Sequence, residues 1–460
     1  MPGVPSGRAC EGCRRQKKKC DEKQPACSRC IRLNLDCVGS GQQRFKFKQE
    51  RGFSHDVKRS GRALSHKASP MPTSNIVAVG PSTCPSNNLT LLTNAFVGSI
   101  KRSTDLRYNL WWSFGMFLEE VPRRLGSNEA LDRAVDAVTS AHANFCARRT
   151  MSVNTLSKYS RALVALRNCL DDSGTAQSSN TLCAVMILLV CQIFLGPNGT
   201  GWTGHAEGAA HILRARKDFG PRDEFEGKLF LSLRGSVLFE GIFNHKISLS
   251  TEEWESLVQN DLDSERPEGQ MLKYLARAPG LMQRGRDILQ YRGDPTDLHA
   301  ETWAVYEKCK ELLAVMSADA TASEAAAPGP GPETLLSRIL RAHYQRMYGI
   351  GLAIVLFFNC MLGALDSANS IVMADAAYFA HEVLVQAQSA ARYRPVGAGY
   401  LMACLPAAWA ATADPELRIL LEAELRNYQE DFHRLPLAGQ RAELEWTGRH
   451  LRLGRSCYES

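Results

Sequence analysis

CEGCRRQKKKCDEKQPACSRCIRLNLDC, residues 10–37, holds six cysteines in the pattern C-x2-C-x6-C-x6-C-x2-C-x6-C. Moving Cys10, Cys13 and Cys20 forward by 17 positions lands them on Cys27, Cys30 and Cys37. The stretch is therefore two copies of C-x2-C-x6-C, joined by a loop that carries Pro25. A tetrahedral zinc ion takes four ligands and favours thiolates. One zinc cannot use six sulfurs, and two zincs offer eight positions, so two sulfurs must bridge both ions. The internal symmetry points to the first cysteine of each copy, Cys10 and Cys27, as the bridges. Cys13, Cys20, Cys30 and Cys37 are then terminal ligands. The alternative is a disulfide framework. Arg14, Arg15, Lys17, Lys18 and Lys19, packed between the second and third cysteines, suit metal-bound thiolates better than a secreted staple.

This spacing, the basic run Arg14–Lys19 and Pro25 together resemble the fungal binuclear zinc-cluster (Zn2Cys6) transcription factors. The resemblance implies two zinc ions per chain, double-stranded DNA as partner, a nuclear location and control of RNA polymerase II genes. By position, Lys17 matches the lysine that reaches the base edges of a CGG-type triplet in the major groove, where guanine offers its N7 and O6 acceptors. Lys18 is its neighbour and a second candidate base contact. Arg14, Arg15 and Lys19 match positions that meet phosphates, which set affinity while base contacts set sequence. Gln16 stands where the family commonly has Arg or Lys. The bland alternative for any one of these cations read alone is a solvated charge. A short helix is expected to run from the second cysteine of each copy, over Arg14–Lys19 and over Ile31–Asp36. The first is basic and the expected DNA reader; the second, with Ile31, Leu33 and Leu35, is a packing and phosphate-positioning element.

The charge of the chain is unevenly spread. The overall balance is +7, but residues 1–67 alone carry +11 and the remaining residues −4. That is the footprint of a nucleic-acid-binding head on a mildly acidic body. The first ten residues, MPGVPSGRAC, have no apolar core, so no secretory leader is expected. The most apolar runs, Leu182–Leu195 and Ile350–Leu365, fall short of the ~20 residues that span a bilayer and read as core helices, so no membrane partner is expected. Nine further cysteines are scattered without CxxC spacing and read as buried thiols.

Three domains are expected: a zinc-cluster head over residues 1–40, a flexible basic and polar linker over 41–88, and an all-helical body over 89–460. The linker follows from Gly39-Ser40-Gly41, Arg44–Lys48, Ser69–Pro72 and Pro81–Ser86. The basic runs Arg14–Lys19 and Arg44–Lys48 also suit nuclear import. No a/d apolar repeat is sustained over three heptads after the linker, which argues against a coiled-coil dimer there. Monomeric binding and a homodimer through the helical body both stay open.

In the body, apolar residues recur at helical spacing and strand alternation is scarce. Helices are expected over Leu106–Leu118, Asn128–Arg148, Leu156–Leu170, Thr181–Leu195, Trp202–Ile212, Glu226–Phe243, Thr251–Asn260 and Thr302–Ala318. Further ones are expected over Leu335–Leu365, Ser367–Ala391, Leu401–Ala411 and Pro415–Phe432, with a loop at Ser323–Pro332. The fold class is mainly α. Trp202-Thr203-Gly204-His205-Ala206-Glu207-Gly208-Ala209 resembles the W-x2-H-x2-GA signature of the fungal-specific transcription factor regulatory domain. Trp202 and His205 read as structural, an interface aromatic and a satisfied histidine. His205 and His211 are six apart, off the spacing that shares a helical face, so no second metal site is expected. Asp414–Phe432 reads as a packed terminal helix, with contact to the transcription machinery as the alternative.

No GxGxxG after a strand, Walker loop, HExxH or GxSxG occurs, so the chain is not expected to be an enzyme. A pathway or gene-cluster regulator is compatible with the resemblance. The rival reading is a zinc-stabilised protein-interaction scaffold without DNA readout; another is a metabolite-sensing body acting as a ligand switch on the same head.

Overall fold

The computed structural model describes residues 5–6, 9–35, 37, 44–45, 87–101, 105–195, 203–216, 220–325, 334–432 and 437–456. The chain divides into two compact units, Met1–Pro81 and Ser82–Ser460. In the first unit, helix α1 spans Glu11–Arg15 and helix α2 spans Ser28–Arg32. Strands Pro5–Ser6, in the expected head, and Arg44–Phe45, in the segment expected to be irregular linker, form a two-residue antiparallel pair. The rest of the expected linker, apart from residues 87–88, lies outside the described residues.

The second unit is all-helical among the described residues. Its first layer packs the helices Glu129–Cys146, Val153–Asp171 and Ser179–Leu195 against one another. The first two start at side-chain caps, Asn128 accepting from the Leu131 N–H and Ser152 from the Thr155 N–H. The third is apolar on nearly every face and is buried along most of its length. Leu335–Leu365 plays the same role in the second half, packed against Thr296–Ala325, Ser370–Ala390 and Leu401–Ala411. One hydrophobic cluster joins both halves. Leu335–Leu365 runs 31 residues, with the bounds expected for it, and by length and composition is long enough to cross a membrane. However, 83% of its most apolar window is buried in the body, which marks it as a core helix.

The expected helix Leu106–Leu118 is instead a short helix, Leu110–Phe114, followed by a 3-10 turn at Met116–Glu119. Gly115 ends it at φ +118, and a Cβ there would lie 2.0 Å from Ser232 Oγ. Four helices were not anticipated: Asn88–Lys101, Pro267–Leu275, Ala278–Tyr291 and Leu437–Leu451. Pro267 and Pro279 both sit in the first turn of their helices, where no N–H is missed. Residues 323–325 of the expected loop belong to the helix Thr296–Ala325, and 326–333 lie outside the described residues. So do Trp202, Cys84 and Cys457.

Among the described residues of the body, Arg216 and Glu226 form a fully buried ion pair. Arg216 Nη1 donates to Glu226 Oε1 at 3.0 Å, and neither side chain is exposed. The same carboxylate accepts from Ser179 Oγ at 2.6 Å and from the Arg222 N–H at 2.8 Å, tying three helices and a loop to one point. His205 is also buried, with Tyr159 Oη 2.9 Å from its Nε2 and the rings edge to face. Burial lowers its pKa to about 4. Pro415–Gln429 packs Leu417, Leu421, Leu425 and Tyr428 into the body, as expected of a packed helix, but it is not terminal, because Leu437–Leu451 follows it. Cys183, Cys191, Cys309 and Cys404 are buried thiols whose pKa burial raises, away from thiolate reactivity.

Candidate metal centre and nucleic-acid interface

The 17-residue repeat is a repeat in space. The end residues of α1, Glu11 and Arg15, shift onto Ser28 and Arg32, those of α2. The Cys13 N–H donates to Cys10 Sγ at 3.4 Å, and the Cys30 N–H donates to Cys27 Sγ at 3.4 Å. The Cys10 N–H donates to Cys20 Sγ at 3.5 Å, as the Cys27 N–H does to Cys37 Sγ at 3.2 Å. After each helix the chain turns through one left-handed residue, Lys17 at φ 52 and Asn34 at φ 49. Lys18 N–H to Cys13 O and Leu35 N–H to Cys30 O close the two turns, both at 2.9 Å.

These paired turns gather the six sulfurs. Cys10, Cys13, Cys20 and Cys27 form one group with all sulfurs within 4.8 Å of one another, and Cys10, Cys27, Cys30 and Cys37 form another. Cys10 and Cys27 belong to both. Sulfur separations of 3.8 Å for Cys10–Cys27, 3.6 Å for Cys10–Cys30 and 3.7 Å for Cys13–Cys27 are far beyond a disulfide bond. They match the ~3.8 Å edge of a tetrahedron with zinc–sulfur bonds of ~2.3 Å. The donor set and its spacing fit a binuclear zinc site. Cys27 caps α2, and the Cys30 N–H draws its thiol down to about 6, favouring the thiolate that a metal takes. The side-chain interaction with Cys27 raises the Cys30 thiol. Four of the sulfurs are buried and those of Cys20 and Cys37 are half-buried.

The expected helices Arg14–Lys19 and Ile31–Asp36 are displaced: α1 and α2 begin right after the first cysteine of each copy, not at the second. The cap explains the shift, because the first cysteine's sulfur accepts an N–H of the first helical turn. Lys17, Lys18 and Lys19 therefore follow α1, on the left-handed turn and the chain beyond it. Arg15, Lys17, Lys18 and Lys19 are exposed; the side chain of Arg14 lies outside what is described. Ile31, Leu33 and Leu35 are exposed on the head surface, so they do not pack its interior. Gln16 is engaged with the second copy, its Oε1 accepting from Arg29 Nη2 at 2.8 Å. Nothing in the cysteine spacing signals that contact. Asp21 holds the connecting loop by accepting the Ser28 N–H; the Ser28 side chain, and after it this N–H, lowers its pKa.

Residues 8–46 match the fungal Zn(2)-Cys(6) binuclear cluster domain. The chain thus carries a zinc-binding domain of a transcription factor family rather than of an enzyme family. The match supports a DNA-binding transcription regulator of the fungal zinc-cluster kind. No curated protein and no solved structure matches the chain.

Proposed function

We propose that this chain is a nuclear, sequence-specific regulator of RNA polymerase II genes whose head holds two zinc ions and reads CGG-type triplets. Cys10 and Cys27 bridge the ions; Cys13, Cys20, Cys30 and Cys37 complete the two sites. The sharing of Cys10 and Cys27 between the two sulfur groups is the observation that carries this reading. Bound zinc supplies the folding free energy that so small a head cannot draw from apolar burial. Lys17 reads bases, with Lys18 as a second contact, and Arg14, Arg15 and Lys19 hold phosphates. The exposure of Arg15 and the three lysines supports this assignment. The helical body is the regulatory domain, acting on the transcription machinery, and a pathway or gene-cluster regulator fits the arrangement.

Fluorescence anisotropy on short duplexes tests this reading. Three phosphate contacts give a log K against log salt slope of about −2.7. Zinc-loaded protein is expected to reach that slope, and chelated protein to lose binding. The protein-interaction scaffold predicts weak, salt-insensitive binding.

A further inference from the structure

Arg29 stands apart from its cationic neighbours in the head. It is half-buried, whereas Arg15, Lys17, Lys18, Lys19 and Arg32 are exposed. From α2 its guanidinium reaches across to the first copy, where Nη2 donates to Gln16 Oε1 at 2.8 Å. It also interacts with the side chain of Cys13. The 17-residue shift gives this link no twin. It carries Arg29 back onto Gly12, which has no side chain, and Gln16 forward onto Leu33, which has no acceptor. The brace therefore exists on one side of the repeat, beside the turn that bears Lys17.

That turn needs a brace more than its twin does. Lys17 and Asn34 both hold a positive φ, 52 and 49. A left-handed backbone is costly for a residue with a Cβ; asparagine visits it readily because its short polar side chain bonds locally, and lysine has no such compensation. Lys17 is held by its surroundings instead. On one side the Lys18 N–H donates to Cys13 O at 2.9 Å, and on the other the Gln16 N–H donates to Gly12 O at 3.3 Å. The longer of these two bonds belongs to the residue that Arg29 grips. An arginine or lysine at position 16 would offer Arg29 no acceptor and would set two cations side by side.

We propose that Arg29 is a positioning residue for base readout: through Gln16 it holds the left-handed turn from which Lys17 reaches the bases. The inference rests on the assignment of Lys17 as reader. Hydrogen bonds to base edges demand a fixed donor position, whereas attraction to phosphates tolerates displacement. Loosening the turn therefore costs sequence preference more than it costs affinity. Arg29 acts through Gln16 and needs no contact of its own with DNA.

Two measurements on the full zinc-loaded chain test this, with zinc content checked in every variant. Without DNA, hydrogen exchange read by mass spectrometry over residues 14–20 is expected to quicken about three- to tenfold in Arg29→Ala and in Gln16→Ala, the scale of one hydrogen bond. Gln16→Glu, which keeps the acceptor, should exchange as wild type does. With DNA, Arg29→Ala should lose about three- to tenfold in preference for a cognate over a scrambled triplet, at an unchanged salt slope. Gln16→Glu should keep that preference, and the double variant with both alanines should be no worse than either single one. A salt slope reduced by about one, with both duplexes weakened alike, would make Arg29 a phosphate contact and overturn the proposal. Unchanged exchange in Arg29→Ala overturns it too, as do additive losses in the double variant. A wild type that prefers neither triplet overturns the Lys17 assignment and this inference with it, while the exchange result shows separately whether Arg29 holds the turn.

Discussion

Cys10 Sγ and Cys27 Sγ lie 3.8 Å apart and are the two sulfurs common to both groups of four. Each also accepts the N–H of the second cysteine in its own copy. Removing Cys27 breaks both groups, whereas removing Cys37 leaves Cys10, Cys13, Cys20 and Cys27 whole. Metal analysis of purified variants should therefore find Cys37→Ser keeping more zinc than Cys27→Ser, with wild type at two ions per chain. A Cys27→Ser protein that retains both ions contradicts the bridging assignment.

Lys17 occupies the left-handed turn after α1, with an exposed side chain. Its assigned role is recognition, so Lys17→Ala should leave zinc content unchanged. It should cost ~1–3 kcal/mol of discrimination between a cognate triplet and a scrambled one. Lys19→Ala, at an expected phosphate contact, should instead weaken binding to both duplexes alike and reduce the salt slope by about one. Competition titrations with the two duplexes separate the roles, and unchanged sequence preference in Lys17→Ala removes Lys17 as reader.

His205 has a directional effect on stability. Burial lowers its pKa to about 4 in the folded body, against an ordinary value near 6.5. Between these values the unfolded chain binds a proton at this residue that the folded body does not. Its neutral form is fully compatible with folding above pH 6.5, and stability is lost as pH falls from about 6.5 towards 4. The size of the loss is up to ~3 kcal/mol. His205→Gln should flatten this part of the profile in urea unfolding at stepped pH; an unaltered slope would show that the histidine does not carry it.

Glu226 sits where the buried ion pair meets the Ser179 hydroxyl and the Arg222 N–H. Glu226→Gln keeps the shape but leaves the Arg216 guanidinium buried opposite a neutral amide. The expected cost is ~3–5 kcal/mol in denaturant unfolding of the body, with zinc content unchanged. A loss below about 1 kcal/mol, the scale of an exposed pair, would mean that water reaches the pair in solution.

The sequence revealed the cysteine repeat and most of the body for one reason: both are periodic. A 17-residue shift exposes the two copies, and stretches such as Leu335–Leu365 and Leu401–Ala411 carry apolar runs that only buried helices explain. Helix starts in the head were misplaced because a cysteine sulfur acts there as an N-cap, a task usually given to Ser, Thr, Asp or Asn. Two of the body helices that were not anticipated open on first-turn prolines. The Gln16–Arg29 contact and the Arg216–Glu226 pair join residues 13 and 10 positions apart whose meeting depends on tertiary packing. Composition carries no trace of either.

The most direct measurement is selection of bound duplexes from a random DNA pool, using full-length zinc-loaded protein at near-physiological salt. The account predicts enrichment of a CGG-type triplet, and paired triplets if two copies bind together. A pool that stays unenriched while metal analysis finds both zinc ions in place would contradict it, and would point to the head as a protein-interaction module.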